Sequence, residues 1–377
     1  MKNYRYKVIP VLALSVALVL TACGSGTDSA DLQEPAAPTA NLDAAAQAEL
    51  DSLYQSAKDS GKTTVTLYTA YAQSDPNQGF SKVLRNFEKA YPGITVKESL
   101  YSGATLFSRV DGELASGKQE VDAVLSGPSD VGYFINKDAL QPYIPTTVAS
   151  VPADLKEPTG LYNVPFQSLF GLVYNTTKIK ADEAPTTLDQ VLADKYKGQV
   201  TFGQPVGTSP SSFSLTTLRY NDVLDEDQLN RLNQQVPTED RYASVVDAVN
   251  AVAQGRYAIA IWGPSQVAAI QKAKGAPIAV GNLQDDRVLN GPGYGIFKNA
   301  PAADAAKLLE TWLFTPAAQQ DIADESFNYG TVAGSPAPPE FPSIADYTLR
   351  TFPATEFAQE LKADGPRWEA IFGPPKS

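Results

Sequence analysis

The residues of this chain with a capacity for chemistry are small, hydroxylated or aromatic, and they recur just after stretches that read as strands. Thr69 and Tyr71 close and follow TTVTLYT (Thr63–Thr69). Tyr101, Ser102 and Gly103 follow Ile94–Leu100, and Ser126 and Gly127 follow DAVL (Asp122–Leu125). Gly207, Thr208 and Ser209 come after Gln199–Gly203, and Trp262 and Ser265 end and follow YAIAIW (Tyr257–Trp262). Such junctions offer backbone N–H groups, hydroxyls and ring faces. Their chemistry is capture of a polar or anionic group by hydrogen bonds, without a formal positive charge. Caps and turns prefer the same residues, so the inference rests on the recurrence rather than on any one junction.

The chain has no histidine and a single cysteine. Ser-His-Asp and Cys-His catalysis, zinc sites built on His or Cys, and disulfides are therefore excluded. Asp75 and Asp130 lie a few residues past strands, but no close carboxylate pair suggests acid and base partners. GPGYG (Gly291–Gly295) has no lysine and no following helix, so it is not a phosphate loop. The acidic run Gln284–Asp286 reads as a solvated loop. The expectation is a protein that is not an enzyme and holds neither metal nor cofactor.

The lone cysteine, Cys23, has its own context. Residues 1–7 carry three positive charges and no acid, Val8–Leu20 is nearly all apolar, and Leu20-Thr21-Ala22 precede the cysteine. The apolar run has signal-peptide length and is too short to span a bilayer. The segment resembles a bacterial lipoprotein signal, which implies cleavage after residue 22 and acylation of Cys23. Gly24–Asn41 is rich in Ala, Pro, Ser, Thr and Gly and reads as a flexible tether, so residues 23–41 would connect anchor to domain. Cleavage would leave 27 basic against 42 acidic residues, a net charge of −15. No basic cluster accompanies that charge, which excludes phosphate-neutralising nucleic-acid binding.

The elements that must position the junctions alternate between strand and helix. Phe80, Val83, Leu84 and Phe87 share one helical face, as do Leu106, Phe107, Val110 and Leu114 behind a Ser102 cap. Ser209-Pro210 starts another helix, Val245, Val246, Val249 and Val252 mark one closed by Gly255, and Ala305, Leu308, Leu309 and Trp312 mark a further one. Strand–helix alternation of this length predicts an α/β fold with parallel-dominated sheets. The 355 residues beyond the signal exceed one core and predict two lobes.

The order of segments is similar to that of a known family. VTLYTAY, VLRNFEKAYPGITVKESLYSGATLFSRVDGELASGKQEVDAVLSG and DALQPY resemble the first lobe of bacterial extracellular solute-binding proteins of ABC importers. They are closest to the branch that binds ferric ion, phosphorylated solutes, thiamine-like compounds and polyamines. NVPFQSLFGLVYNTTKI resembles the crossing into the second lobe, VDAVNAVAQGRYAIAIWGPSQVAAIQKAKGAPIAV its helix–strand–helix, and GPGYGIFKNAPAADAAKLLETWLFTPAAQQDIA the return to the first lobe. The resemblance spans roughly Thr63–Glu325.

It implies a two-lobe α/β fold of the type 2 periplasmic-binding-protein kind, with two crossing segments as a hinge and a ligand cleft between the lobes. The first lobe would comprise residues 42–163 and 286–342, the second 164–285, with a helical segment 343–377 packed on the second lobe. Gln167, in the first crossing segment, joins the candidate ligand residues. The implied partners are a small-molecule solute and a membrane permease, for a monomer anchored outside the cytoplasm. Ferric binders of this family use adjacent tyrosines after the strand that here ends Ala260-Ile261-Trp262. This chain continues Gly263-Pro264-Ser265-Gln266, and the family's histidine position falls near Ala72, which argues against bare ferric ion. Ser102 and Ser209 would suit a phosphate, phosphonate or carboxylate, and Trp262, Tyr71 and Tyr101 would equally suit an organic cation.

Overall fold

A computed structural model describes residues 42–207, 209–283, 287–339, 341, 343–344, 349–350 and 354–374. The signal, Cys23, the tether, Thr208 and residues 284–286 lie outside the described residues.

The first lobe is entered by α1 (Ala44–Ser60), whose Asp43 side chain caps its start and whose end is closed by Gly61 at φ +67. Then follow β1 (Thr64–Thr69), α2 (Gly79–Ala90), β2 (Thr95–Leu100), α3 (Gly103–Ser116), β3 (Ala123–Ser126), α4 (Pro128–Asn136) and β4 (Leu140–Gln141). β1 pairs in parallel with β2 and β3, Thr64 facing Thr95 and Leu67 facing Ala123. Alternation along β1 sends Val65 and Leu67 into one core and Tyr68 into the other. Phe80, Val83, Leu84 and Phe87 of α2 fill the former, and Leu106 and Val110 of α3 the latter.

The second lobe contains β5 (Phe166–Asn175), α5 (Leu188–Val191), β6 (Val200–Gly203), α6 (Pro210–Tyr220), α7 (Glu226–Gln235), β7 (Arg241–Tyr242), α8 (Val245–Ala253), β8 (Ile259–Pro264), α9 (Ser265–Ala273), β9 (Ile278–Val280) and β10 (Arg287–Asn290). β5 is buried at all ten positions and carries partners on both edges, including β8, β9 and β10, all antiparallel. β6 pairs in parallel with β7 and β8. The chain returns to the first lobe as β11 (Gly293–Phe297), antiparallel to β3 and β4, followed by α10 (Ala303–Leu313) and α11 (Pro316–Ser326).

Both sheets are thus mixed. The βαβ units supply the parallel pairs, and strands adjoining the crossings enter from the opposite direction. Because β10 belongs to the second sheet, the return begins after Asn290. The two crossing segments are bonded to each other: Asn163 N–H donates to the Tyr294 carbonyl at 2.9 Å and Tyr294 N–H to the Asn163 carbonyl at 2.7 Å. Beneath them the Asn163 carboxamide donates to the buried Glu310 carboxyl at 2.7 Å.

A third crossing accompanies these two. β12 (Tyr329–Gly330) pairs with Gln167 and Phe166, and the Thr331 hydroxyl donates to the Val164 carbonyl at 2.6 Å. The chain then runs along the second lobe, where Phe341 and Ile344 pack near Leu169 and Leu289, and adds β13 (Leu349–Arg350) beside β10. The last helix, α12 (Ala354–Phe372), packs on α6 and α7. Its Trp368 indole donates to Thr216 at 3.1 Å, Asp364 pairs with Arg219 at 2.7 Å, and the Phe372 carbonyl accepts from buried Arg241 at 2.6 Å.

Candidate functional site

A cavity of about 620 Å³ opens between the two sheets, and five helix N-termini reach its wall. Ser102 and Gly103 bring α3, Gly127 and Ser129 bring α4, Ser209 and Pro210 bring α6, Ser244 and Val245 bring α8, and Pro264 and Gln266 bring α9. Each of these helices follows a strand, so the carboxyl ends of strands in both lobes converge here. The first turns of α3, α4 and α9 have no side-chain cap from the residue before them, whereas Ser209 and Ser244 cap their own helices. Exposed N–H groups and helix dipoles make the wall electropositive. Among the described residues no lysine or arginine lines it.

Against that background stands one buried carboxylate. Asp130 accepts from the Ser126 hydroxyl at 2.5 Å and from Gly103 N–H at 3.2 Å. Burial raises its pKa, and the two hydrogen bonds oppose the shift. Gly103 sits at φ +52, a conformation glycine adopts without strain, and this points its N–H at Asp130. Across the cavity, Gln266 Oε1 and Asn290 Oδ1 are buried without a partner. Both residues line the cavity, while these two oxygens are turned into the protein, where an unpaired acceptor is costly. Tyr71, Phe170, Phe213 and Pro264 supply apolar wall. Burial pushes the Tyr71 hydroxyl up to about 12.

The structure gathers Tyr71, Ser102, Gly103, Ser126, Gly127 and Ser209 at this cavity and leaves other candidates elsewhere. Thr69 is fully buried, and its hydroxyl accepts from Tyr71 N–H at 3.1 Å, setting the turn that delivers Tyr71. Tyr101 packs edge-on to Tyr68 in the first-lobe core, ring centroids 5.0 Å apart. Gln167 is buried at the third crossing, opposite Tyr329. Ser265 is fully buried, its hydroxyl unpartnered. Gly207 lies at a neighbouring cavity.

Trp262 departs furthest from the sequence reading. It is 1% exposed, edge-on to Phe202 at 6.1 Å within the second-lobe core, and it does not line the cleft. The cause is local. The β5–β8 register shifts between Gly171 and Val173, and Trp262 sits at φ +50 in the resulting irregularity of β8. The irregularity accompanies an inward ring, while Pro264 and Gln266 meet the cavity.

The cavity is also lined by Gln266, which follows Trp262 in the same junction, and by Asp130, Ser244 and Asn290, which carry no pairing or strand signal in the sequence. Asp130 has no second acid beside it, although a lone carboxylate suffices for binding. Ser244 follows β7, which is two residues long and gives no strand signal. Asn290 ends a strand whose place is set by pairing with β5.

Among the described residues there is no group of three or more His, Cys, Asp or Glu side chains placed to hold a metal ion, and no helix is long and apolar enough to cross a membrane. The fold is shared with solved periplasmic binding proteins. Iron-bound HitA from Pseudomonas aeruginosa is 19% identical, covering 83% of this chain and 100% of that one, at a TM-score of 0.67. AfuA from Actinobacillus pleuropneumoniae, with fructose-6-phosphate bound, is 15% identical over 83% of this chain and 99% of that one, at 0.69. The apo ferric ion-binding protein A of Pasteurella haemolytica is 19% identical over 84% and 100%, at 0.63. No curated protein sequence matches. Residues 82–349 match the model of the bacterial extracellular solute-binding protein family, and with its two-lobe fold and interlobe cavity the chain belongs to that family, which serves ABC importers.

Proposed function

We propose that this protein captures a small polar or anionic organic solute in its interlobe cleft and hands it to an ABC permease, without catalysis. The observation that carries this reading is the convergence of five helix N-termini on one cavity that, among the described residues, no lysine or arginine lines. Uncapped N–H groups and the hydroxyls of Ser102 and Ser129 would hold an anionic or carbonyl group. Asp130 would accept from a hydroxyl or amino group on the same molecule, and the carboxamide side chains of Gln266 and Asn290 lie on the same wall. Closure is a hinge motion about the crossing segments, and solute contacts from both lobes favour the closed form. Acylation at Cys23 and the tether would keep a monomer on the outer face of the membrane beside its transporter.

A thermal-shift screen of phosphorylated sugars, carboxylates, organic cations and ferric citrate tests this, together with native mass spectrometry of freshly purified protein. The expected result is one organic solute class that raises the melting temperature saturably and is recovered unchanged. Turnover of that solute, or no shift with any compound, would overturn the reading. Ferric ion is the second reading, favoured by the shared fold with iron-bound HitA. Tyr71 and Asp130 are oxygen donors in the cleft, but among the described residues no group of three or more His, Cys, Asp or Glu side chains is placed to hold a metal ion. A tyrosinate-to-iron absorption band on adding ferric citrate would favour it.

A further inference from the structure

We propose that the solute has an apolar part and that this part lies in a second chamber roofed by α12. The proposal rests on the cleft being the solute site and extends it. The chamber has a volume of about 460 Å³ and adjoins the first cavity, since Pro128 and Ser129 belong to both walls. Its floor is Phe107 of α3 with Gly132 and Tyr133 of α4, and its roof is Leu361, Lys362 and Gly365 of α12. Floor and roof come from different lobes, as in the first cavity, so an occupant spanning both spaces would bridge the lobes twice.

The chamber is the more apolar of the two spaces. Phe107 and Tyr133 stack at 3.9 Å with their planes 15° apart. Among the described residues the lining holds no carboxylate, its polar members are Ser129, Asn136 and exposed Lys362, and the rest is apolar or backbone surface. A hydrocarbon or aromatic group gains from such a surface in proportion to the area it covers.

Two further facts argue that the space is kept open. Gly132 lies inside α4, where glycine costs roughly 1 kcal/mol relative to alanine, yet a Cβ there would meet no atom within 4 Å. No internal contact requires the glycine, and its absent side chain leaves volume on the chamber side. The roof is also fixed in place: Trp368 and Asp364 of α12 bond to Thr216 and Arg219, and Arg241 donates to the Phe372 carbonyl at its end.

The test fills the chamber from each side separately, with Gly132→Leu and Lys362→Trp, and uses Gly132→Ala as the control that stiffens α4 without filling it. The probe is anilinonaphthalene sulfonate, an apolar ring system with one anionic group. Wild type and Gly132→Ala are expected to bind it saturably at one site, and both filled variants to bind it at least about tenfold more weakly with unchanged circular dichroism. Absent saturable binding to wild type, or equal binding to folded filled variants, would overturn the chamber. A panel solute that shifts the melting temperature equally in wild type and filled variants would also overturn it, while leaving the cleft reading intact. If no solute shifts even wild type, the cleft reading fails and this proposal falls with it.

Discussion

Replacing Gln266 by methionine should make the empty protein more stable and the binding weaker, two effects of opposite sign from one carboxamide. Gln266 is 9% exposed at the start of α9, and its Oε1 is buried without a partner. Leaving a buried acceptor unpaired costs about 1–3 kcal/mol. Methionine is close to glutamine in length and in helix propensity, so the substitution removes the carboxamide, its buried acceptor and its donor group together, and changes little else. Urea unfolding of protein stripped of solute by denaturation and refolding should show a gain of about 1 kcal/mol or more. Calorimetric titration with the solute identified by native mass spectrometry should show a Kd about 10- to 100-fold higher, the loss of about 1.4–2.8 kcal/mol that one hydrogen bond to a well-placed donor represents. Most substitutions of buried residues destabilise, so the gain in stability is the discriminating half. A methionine variant that is less stable when empty, or that binds the solute as tightly as wild type, would refute the assignment of Gln266 to the ligand.

Three further outcomes follow from other parts of the structure. Burial raises the Glu310 carboxyl well above the ordinary carboxylate value, its bond from Asn163 and the Lys307 charge opposing the shift and the Glu49 charge adding to it. The folded protein then holds a proton that the unfolded chain releases, so the contribution is full below about pH 4.3 and is lost as pH rises through the raised value. Glu310→Gln keeps the acceptor for Asn163 and should flatten the stability–pH curve in urea melts from pH 4 to 8; parallel curves for the two proteins would show that Glu310 does not titrate there. Trp262→Ala should cost about 3–5 kcal/mol by cavity formation in the second-lobe core, seen as a lower urea midpoint, with solute affinity unchanged in the fraction that remains folded. Cys23→Ser should release the protein from membranes to the soluble fraction in cell fractionation, and continued membrane association would refute acylation at Cys23.

What could be read from the chain alone was whatever depends on neighbours in sequence. The helical faces of α2 and α10 follow from apolar spacing, because a 3.6-residue period buries a stripe wherever the helix packs, whereas Leu114 of α3 and Val246 of α8, expected on the buried faces, are exposed. Ser209-Pro210 and Gly255 mark helix ends through local backbone geometry, and the structure has Ser209 accepting from Ser212 N–H and Gly255 at φ +77. Strand–helix alternation implied βαβ units, and hence strand ends with helix N-termini beyond them. That rule alone led to Ser102, Gly103, Ser126, Gly127 and Ser209, all of which line one cavity. The excluded chemistries needed only composition.

Tertiary structure decided what depends on distant pairing. β10 and β12 exist because β5 offers them edges, and neither has a strand signal of its own; with β12 comes the third crossing that no local pattern announced. Asn290 and Ser244 reach the cleft only through such pairings. The side to which Trp262 points was set by a register irregularity against β5, and a shift of one residue reverses the face of a strand side chain. The partnerless state of Gln266 and Asn290, and the chamber under α12, are properties of two lobes brought face to face. Propensity and spacing report what a segment prefers by itself, whereas desolvation and cavity shape belong to surfaces that meet only after folding.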